Sequence, residues 1–381
     1  MPSTRLLLTF ALALPCALFA CACTTTTEQK PANPGPATPA EPQPPPPCQD
    51  GTYRMSTGTC ATFPNLSVAR AAVVIAPARD HHTTMVIELA SGPWLYVIGG
   101  TENWSTLHDD VQRAKIGPDG SLGAFESAGK LPQPRAGHCT VKIKDRLYLF
   151  GGIVGPGPSE TSVVLELDAE GKVKSTAPGP AIPKAVMHLS CDQDGDNVFV
   201  IGGRGTNSRS TTLAARAKIG ADGILGAFEP QSSLRPDRSH HASFVYKKRL
   251  YVIGGLTGDP TATAEDRKDV VMADILEDGS LGEWTAGGSL PTALSVSAAQ
   301  LYTDAVYIFG GLEDGGFTDK IRRASIQDDG TLSPFATLPS KLPDPRGHVH
   351  QTPVYKDFIF SVGGKNNEEK SIGLVDVGRF Q

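Results

Sequence analysis

No part of the 381-residue chain concentrates charge of one sign; 35 Lys and Arg are interspersed among 40 Asp and Glu, for a net charge of −5. A phosphate backbone demands a basic stripe, so nucleic acid is excluded as a partner. The apolar stretch at the start, Leu6 to Ala20, is too short for a spanning helix. Motifs for a nucleophile with its base, for paired carboxylates, for a phosphate loop or for a cofactor are also missing. From sequence, therefore, no catalytic residue, cofactor or metal is assigned. Glycine (41) and proline (31) are plentiful, as an all-β chain with many turns requires.

Arg5 followed by the Leu6–Ala20 run has the form of a signal peptide over residues 1–20. Its end, Leu18-Phe19-Ala20-Cys21, resembles a bacterial lipoprotein signal, although Phe19 departs from the commoner small or branched residue. That resemblance implies lipidation of Cys21, which would hold the protein at a membrane through its N-terminal lipid alone. Ala22 after the cysteine is similar to the sorting pattern of an outer-membrane or cell-surface lipoprotein, with a periplasm-facing position as a variant. An ordinary secretory signal is the alternative. Residues 21–47 form the lipidated end and a tether, proline-rich from Thr24 to Pro47, which has no apolar periodicity and reads as an extended spacer. Residues 48–65 follow as a short segment in which Cys48 and Cys60 are expected to pair in an oxidising compartment. Cys139 and Cys191, 52 residues apart, occupy equivalent strands of neighbouring repeats; whether they bridge is left open at this stage.

From residue 66 to 381 the chain repeats. Six glycine pairs, 51 to 56 residues apart, close the segments Leu95–Gly100, Leu147–Gly152, Val198–Gly203, Leu250–Gly255, Val306–Gly311 and Ile359–Gly364. A fixed period near fifty with one apolar strand per period is the signature of propeller blades. The strand before each glycine pair is apolar on both faces, as in Leu95-Tyr96-Val97-Ile98, and so must be covered on both sides. An Asp-Gly turn recurs at Asp119-Gly120, Asp222-Gly223, Asp278-Gly279 and Asp329-Gly330, reading as a two-residue hairpin turn. After Gly364 only a third strand fits, roughly Ser371–Val377, so the missing outer strand is expected from Leu66–Ala72. The fold class is all-β: a six-bladed propeller of four antiparallel strands per blade, closed by an N-terminal strand.

The six glycine pairs in register, the aromatic of the second strand (Tyr96, Tyr148, Phe199, Tyr251, Tyr307, Phe360) and Trp284 on a fourth strand resemble the kelch repeat. The DG-x-LG-x-F stamp looks like kelch-type proteins of bacterial envelopes. The resemblance implies a propeller without implying one function, because the family includes protein-binding scaffolds, sugar mutarotases and copper oxidases. A copper oxidase would need tyrosine and histidine ligands and a tyrosine–cysteine link, and the repeat tyrosines are committed to packing.

Two sets of residues are candidates for function. Histidines recur before the first strand of the blades (His81, His82, His138, His240, His241, His348, His350), with Arg79, Arg135, Arg238 and Arg346 close by. Their repetition favours a structural role in which Arg and His bond loop carbonyls, over a ring of metal ligands. The loops after the glycine pairs differ among blades, as grafted binding loops do. They offer Asn103, Trp104, Arg204, Arg209, Asp266, Arg267, Glu313, Phe317 and Lys365, with Trp104 and Phe317 read as exposed aromatics. The function expected is a non-catalytic, monomeric envelope protein that binds a protein or a polysaccharide. A mutarotase-like sugar enzyme is the alternative, with a copper oxidase behind it.

Overall fold

A computed structural model describes residue 48 and residues 52–54, 58–258 and 265–381. The expected signal peptide, Cys21 and the expected tether lie outside the described residues. The described residues contain no helix, and six four-stranded antiparallel sheets make up the bulk of them. In the first sheet, Thr83–Leu89, Gly92–Ile98, Asp110–Lys115 and Glu126–Lys130 pair in chain order. Blades two to five follow the same plan, with first strands at Cys139–Ile143, Ser190–Asp194, Ala242–Tyr246 and Ala298–Tyr302. The sixth blade is composite. Val354–Tyr355, Phe358–Val362 and Leu374–Phe380 come from the C-terminus, and Leu66–Val74 supplies the outer strand, with Leu66 opposite Phe380. The third strand of this blade therefore starts three residues later than Ser371, because Ser371 is held in a bridge to Lys365.

Alternation along the second strands explains the packing. Leu95 and Val97 enter an apolar cluster with Phe358, Phe360 and Val375 of blade six. Tyr96 and Ile98, facing the other way, join Leu147, Leu149 and Leu165 of blade two. Six such clusters lie between consecutive blades and close the circle. Side chains of period two on one strand thus serve two cores. Hydroxyls tie the outer rim: Tyr96 donates to the Gly171 carbonyl at 2.6 Å and Tyr251 to that of Gly330 at 2.7 Å, each in the turn of the next blade.

Two circles of backbone hydrogen bonds hold the blades together at the channel. Just before each first strand one residue lies in the left-handed region: His81, Gly137, His188, His240, Val296 and His348, with φ between 51° and 63°. Their N–H groups donate to the carbonyl of the same position one blade earlier. The lengths are 3.1 Å (His81 to His348), 2.8 Å (Gly137 to His81), 2.8 Å (His188 to Gly137), 3.1 Å (His240 to His188), 2.9 Å (Val296 to His240) and 2.9 Å (His348 to Val296). In the second circle the last glycine of each pair donates to the next blade, as Gly100 does to Arg135 at 2.9 Å, Gly203 to Arg238 at 2.7 Å and Gly364 to Arg79 at 2.9 Å.

The recurrent Asp-Gly turn differs from the two-residue hairpin expected. Gly120 donates to the Gly117 carbonyl at 3.0 Å, and of Pro118, Asp119 and Gly120 only the glycine has positive φ. This is a type I turn followed by a left-handed glycine. Asp119 accepts from the N–H of Ser121 at 3.1 Å and from its hydroxyl at 2.6 Å, which sets the turn without any ion. Cys48–Cys60 and Cys139–Cys191 are both disulfides, with Cα separations of 5.7 Å in each. The second answers the question left open by sequence and staples the first strands of blades two and three. The first ties the chain to the hairpin of Thr52–Arg54 with Cys60–Thr62, which docks on blade five through Tyr53 and Thr303 (3.1 Å) and through Arg323 over Phe63.

The pair Gly254-Gly255 shows what closure requires. A Cβ on Gly255, at φ 93°, would stand 2.6 Å from the Ser239 carbonyl and 2.7 Å from the His241 Cβ. Gly255→Ala is expected to destabilise the fold by about 2 kcal/mol or more, from backbone strain and overlap together. A urea denaturation midpoint unchanged from that of the parent would show that the inter-blade contact tolerates a side chain.

Candidate functional site

In each blade the first strand begins and the second ends at the same mouth of the channel, as the pairing of Thr83 with Ile98 shows. The glycine-pair loops therefore surround the circle of left-handed residues. Four of those six positions are histidine, and their imidazoles meet inside the mouth. Ring centroids are 4.0 Å apart for His81 and His348, 4.8 Å for His81 and His188, and 3.8 Å for His188 and His240. His350, two residues beyond His348, sits 5.7 Å from His81 and 6.1 Å from His188. The indole of Trp104 covers them, 4.4 Å from His81 and 5.9 Å from His188, while remaining 41% exposed.

The electrostatics of the mouth follow from desolvation. Burial, with repulsion from the neighbouring imidazoles, pushes His81, His188, His240 and His348 well below the usual histidine range. Burial takes His350 down to about 4. The cluster is therefore a set of neutral imidazoles at pH 7. Asp80 Oδ1 contacts His81 Nδ1, and Asp80 Oδ2 accepts from the Ser371 hydroxyl at 2.5 Å. This leaves His81 Nε2 buried with no hydrogen-bond partner, as are His188 Nδ1 and His348 Nδ1. The nitrogens offered by His81, His188 and His350 lie within 4.8 Å of one another.

The second tier of histidines behaves differently. His138 Nε2 lies 3.1 Å from the Thr83 hydroxyl and His241 Nε2 lies 2.9 Å from that of Ser190, each joining neighbouring blades. The arginines also hold structure. Arg79 reaches the Gly99 carbonyl at 3.0 Å and Asp110 at 2.8 and 2.9 Å; Arg238 reaches the Gly254 carbonyl at 2.9 Å, and Arg346 that of Gly363 at 3.1 Å. Arg135 likewise donates to the Gly151 carbonyl. Beyond His350 the channel widens into a cavity of about 310 Å³ lined by His138, His241, Asp192, Gln351 and the Cys139–Cys191 bridge. Burial raises the Asp192 carboxyl to about 6 against the hydrogen bond from Ser243 that lowers it.

Among the loop residues singled out from sequence, Asn103, Trp104 and Arg209 are exposed, and Arg204, Asp266, Arg267 and Lys365 are half-buried. Asn103 knits two loops, accepting the Ser371 N–H at 2.6 Å while its own N–H donates to the Ser371 hydroxyl at 2.7 Å. Arg267 pairs with Asp269 at 2.9 Å, and Lys365 with Glu369 at 2.5 Å. Two readings need correction. Phe317 is buried, packed edge-on against His348 at 5.8 Å and tied to Asn367 by its backbone. Glu313 is buried too, in contact with Lys320 and Arg322; burial pushes its carboxyl up, but these cations and Thr292 outweigh it and hold the carboxyl below its ordinary value. The repeat tyrosines Tyr96, Tyr148, Tyr251 and Tyr307 are buried in the inter-blade clusters, so they do not assemble with the channel histidines as a copper oxidase would need. His188 is absent from the histidines singled out from sequence. The signal that would have found its role is its register with His81, His240 and His348, one repeat apart or a multiple.

Neutral buried histidines make stability depend on acidity. In the unfolded chain they titrate at about 6.5, but in the fold His82 and His241 are down at about 3 and His350 at about 4. Below pH 6.5 the unfolded state binds more protons, so stability falls as pH drops from there towards the folded values. Each such histidine removes about 1.4 kcal/mol per pH unit. Asp192 acts in the opposite sense between its folded value of about 6 and its unfolded one, as one group against several. The urea midpoint is expected to fall clearly between pH 7.5 and 5.5. An unchanged midpoint would mean that these imidazoles are hydrated in the native state.

No protein-family profile matches the chain. Among curated proteins it is 25% identical over 194 residues to Kelch-like protein terF of Aspergillus terreus, over 47% of this chain and 39% of the relative. It is 24% identical over 178 residues to Kelch repeat and BTB domain-containing protein 1 of Cowpox virus, covering 46% of this chain and 30% of that one. Tip elongation aberrant protein 1 of Schizosaccharomyces pombe matches at 23% over 208 residues, 52% of this chain and 18% of the relative. The chain thus spans well under half the length of these relatives. The solved structure of YjhT superposes with a TM-score of 0.62 over 79% of this chain and 95% of that one, at 11% identity, a likeness of fold alone. With its six four-stranded blades, the chain is a six-bladed β-propeller whose repeats are similar to those of kelch proteins.

Proposed function

We propose that this is a non-catalytic, lipid-anchored binding protein, displayed from a bacterial envelope membrane, which engages a protein or an envelope polysaccharide with the loop end of its propeller. The observation that carries the reading is the contrast between the blades and their glycine-pair loops. The blades repeat one plan, whereas the loops around the histidine mouth differ from blade to blade. They present an exposed indole at Trp104 beside the exposed Arg209 and the half-buried Lys365 and Arg267. An aromatic face within a polar rim suits a protein surface or a sugar ring. The relatives' kelch repeats point towards scaffolding of protein contacts. Export is supported by the two disulfides, which persist in oxidising compartments. The proline-rich tether from Thr24 to Pro47 would hold the propeller away from the lipid.

The test is crosslinking in intact cells followed by affinity purification of the full chain, beside a Trp104→Ala, Arg209→Ala double variant. Phe317 is left intact because its truncation would unseat the loop. A partner or polymer captured by the parent and lost by the double variant is the expected result. Equal recovery from both would overturn the assignment of this face, and recovery of nothing from either would favour a small sugar ligand. Cys21→Ser is expected to move the protein from the membrane fraction to the soluble one. A variant that stays with the membrane would refute the lipid anchor.

A further inference from the structure

We infer that His81, His188 and His350 form a binding site for one divalent transition-metal ion of the zinc, copper and nickel class, set in the channel mouth beneath Trp104. This stands apart from the question of what the loops bind, and it departs from the structural role that repetition alone would favour for the histidine ring.

Convergence is the first argument. The three residues come from blades one, three and six, and their ligand nitrogens fall within 4.8 Å of one another. Four nitrogens at about 2.05 Å around zinc would be about 3.4 Å apart. The widest gap must therefore close by roughly 1.4 Å, a movement that small rotations about the imidazole side-chain bonds provide. The unsatisfied atoms are the second argument. A buried imidazole nitrogen without a partner is costly, and structural histidines normally avoid it. His138 and His241 each spend Nε2 on a hydroxyl of the preceding blade and leave only Nδ1 without a partner. What sets the mouth apart is that its unpartnered nitrogens, His81 Nε2, His188 Nδ1 and His348 Nδ1, belong to rings that crowd together, with centroids 4.0 Å apart for His81 and His348 and 4.8 Å for His81 and His188.

The surroundings of His81 supply the third argument. Its Nδ1 is held by the Asp80 carboxylate, which is itself held by the Ser371 hydroxyl at 2.5 Å. A carboxylate behind a histidine fixes the tautomer, directs Nε2 outward and raises its basicity, the usual outer support of a metal ligand. Asp80 is fully buried and would also partly balance the charge of a dication. A donor set of imidazoles with no carboxylate oxygen selects against calcium and magnesium, which prefer oxygen, and favours the later first-row metals.

The experiment uses the full chain carrying Cys16→Ser, Cys21→Ser and Cys23→Ser, so that leader thiols bind nothing, after metal is stripped. Zn²⁺ is titrated by calorimetry and Co²⁺ by visible absorption, and pulsed electron paramagnetic resonance on the Cu²⁺ form reads imidazole nitrogens directly. One equivalent, with imidazole modulation from the bound copper, is expected. His188→Asn, chosen because Asn tolerates the left-handed backbone, and His350→Gln should each weaken Zn²⁺ binding by at least about 100-fold. Asp80→Asn should weaken it about 10–100-fold, whereas His241→Gln should leave it unchanged. Absence of stoichiometric binding by the parent, or copper without imidazole modulation, would overturn the site whatever the variants do. Full affinity in folded His188→Asn and His350→Gln proteins would overturn it as well.

Discussion

Around the channel mouth each blade donates one backbone N–H to the blade before it, and the rest of the structure depends on that circle. A four-stranded blade has two free edges and two apolar faces, and it cannot stand alone. The circle through His81, Gly137, His188, His240, Val296 and His348 sets the angle at which consecutive blades meet. That angle in turn lets the alternating side chains of the second strands reach two cores at once. Its cost is conformational. Each member has positive φ, which is uncommon for histidine and an outlier for a β-branched residue such as Val296. Such backbone persists only where surrounding contacts over-determine it, and the second circle, from glycine pairs to Arg79, Arg135 and their equivalents, provides those contacts.

The same geometry makes the candidate site. A left-handed residue at the inner rim turns its side chain into the bore, so histidines placed there face one another across a few ångströms. Desolvation then keeps them neutral, and neutrality turns a crowd of potential cations into a crowd of nitrogen donors. The loops that Trp104 and Phe317 belong to leave the blades at this same end, because they follow the glycine pairs that anchor the second circle. Closure, the histidine mouth and the variable loops are thus consequences of one arrangement.

Particular residues show where reading by type fell short. Phe317 stands in a polar loop, a setting that suggests an exposed aromatic, yet the loop folds back and lays the ring against His348 and the backbone at Gly347. Glu313 looked like a rim charge; two cations seven and nine residues further along, Lys320 and Arg322 on the strand that follows the loop, pair with it and draw it inward. Both errors arise from contacts made after the loop is closed, which no local pattern encodes. The arginines were read correctly, since repetition in register with the glycine pairs signals a role shared by every blade. His188 was missed because blade three has Leu189 where blades one and four have a second histidine, His82 and His241, so the ring position had no doublet to mark it.

Sequence alone determined the number of blades, the apolar strand that each buries, and the composite sixth blade, because glycine pairs at a fixed period and alternating apolar residues are local requirements of that packing. The outer strand of that blade, expected from Leu66–Ala72, is supplied by Leu66–Val74. Only the tertiary structure decided that Cys139 and Cys191 meet, and that four histidines a repeat or more apart share one mouth with His350. Bonding distance between blades depends on how far the ring closes and how each first strand is rotated. Those quantities are set by all six interfaces together, and no single stretch of sequence contains them.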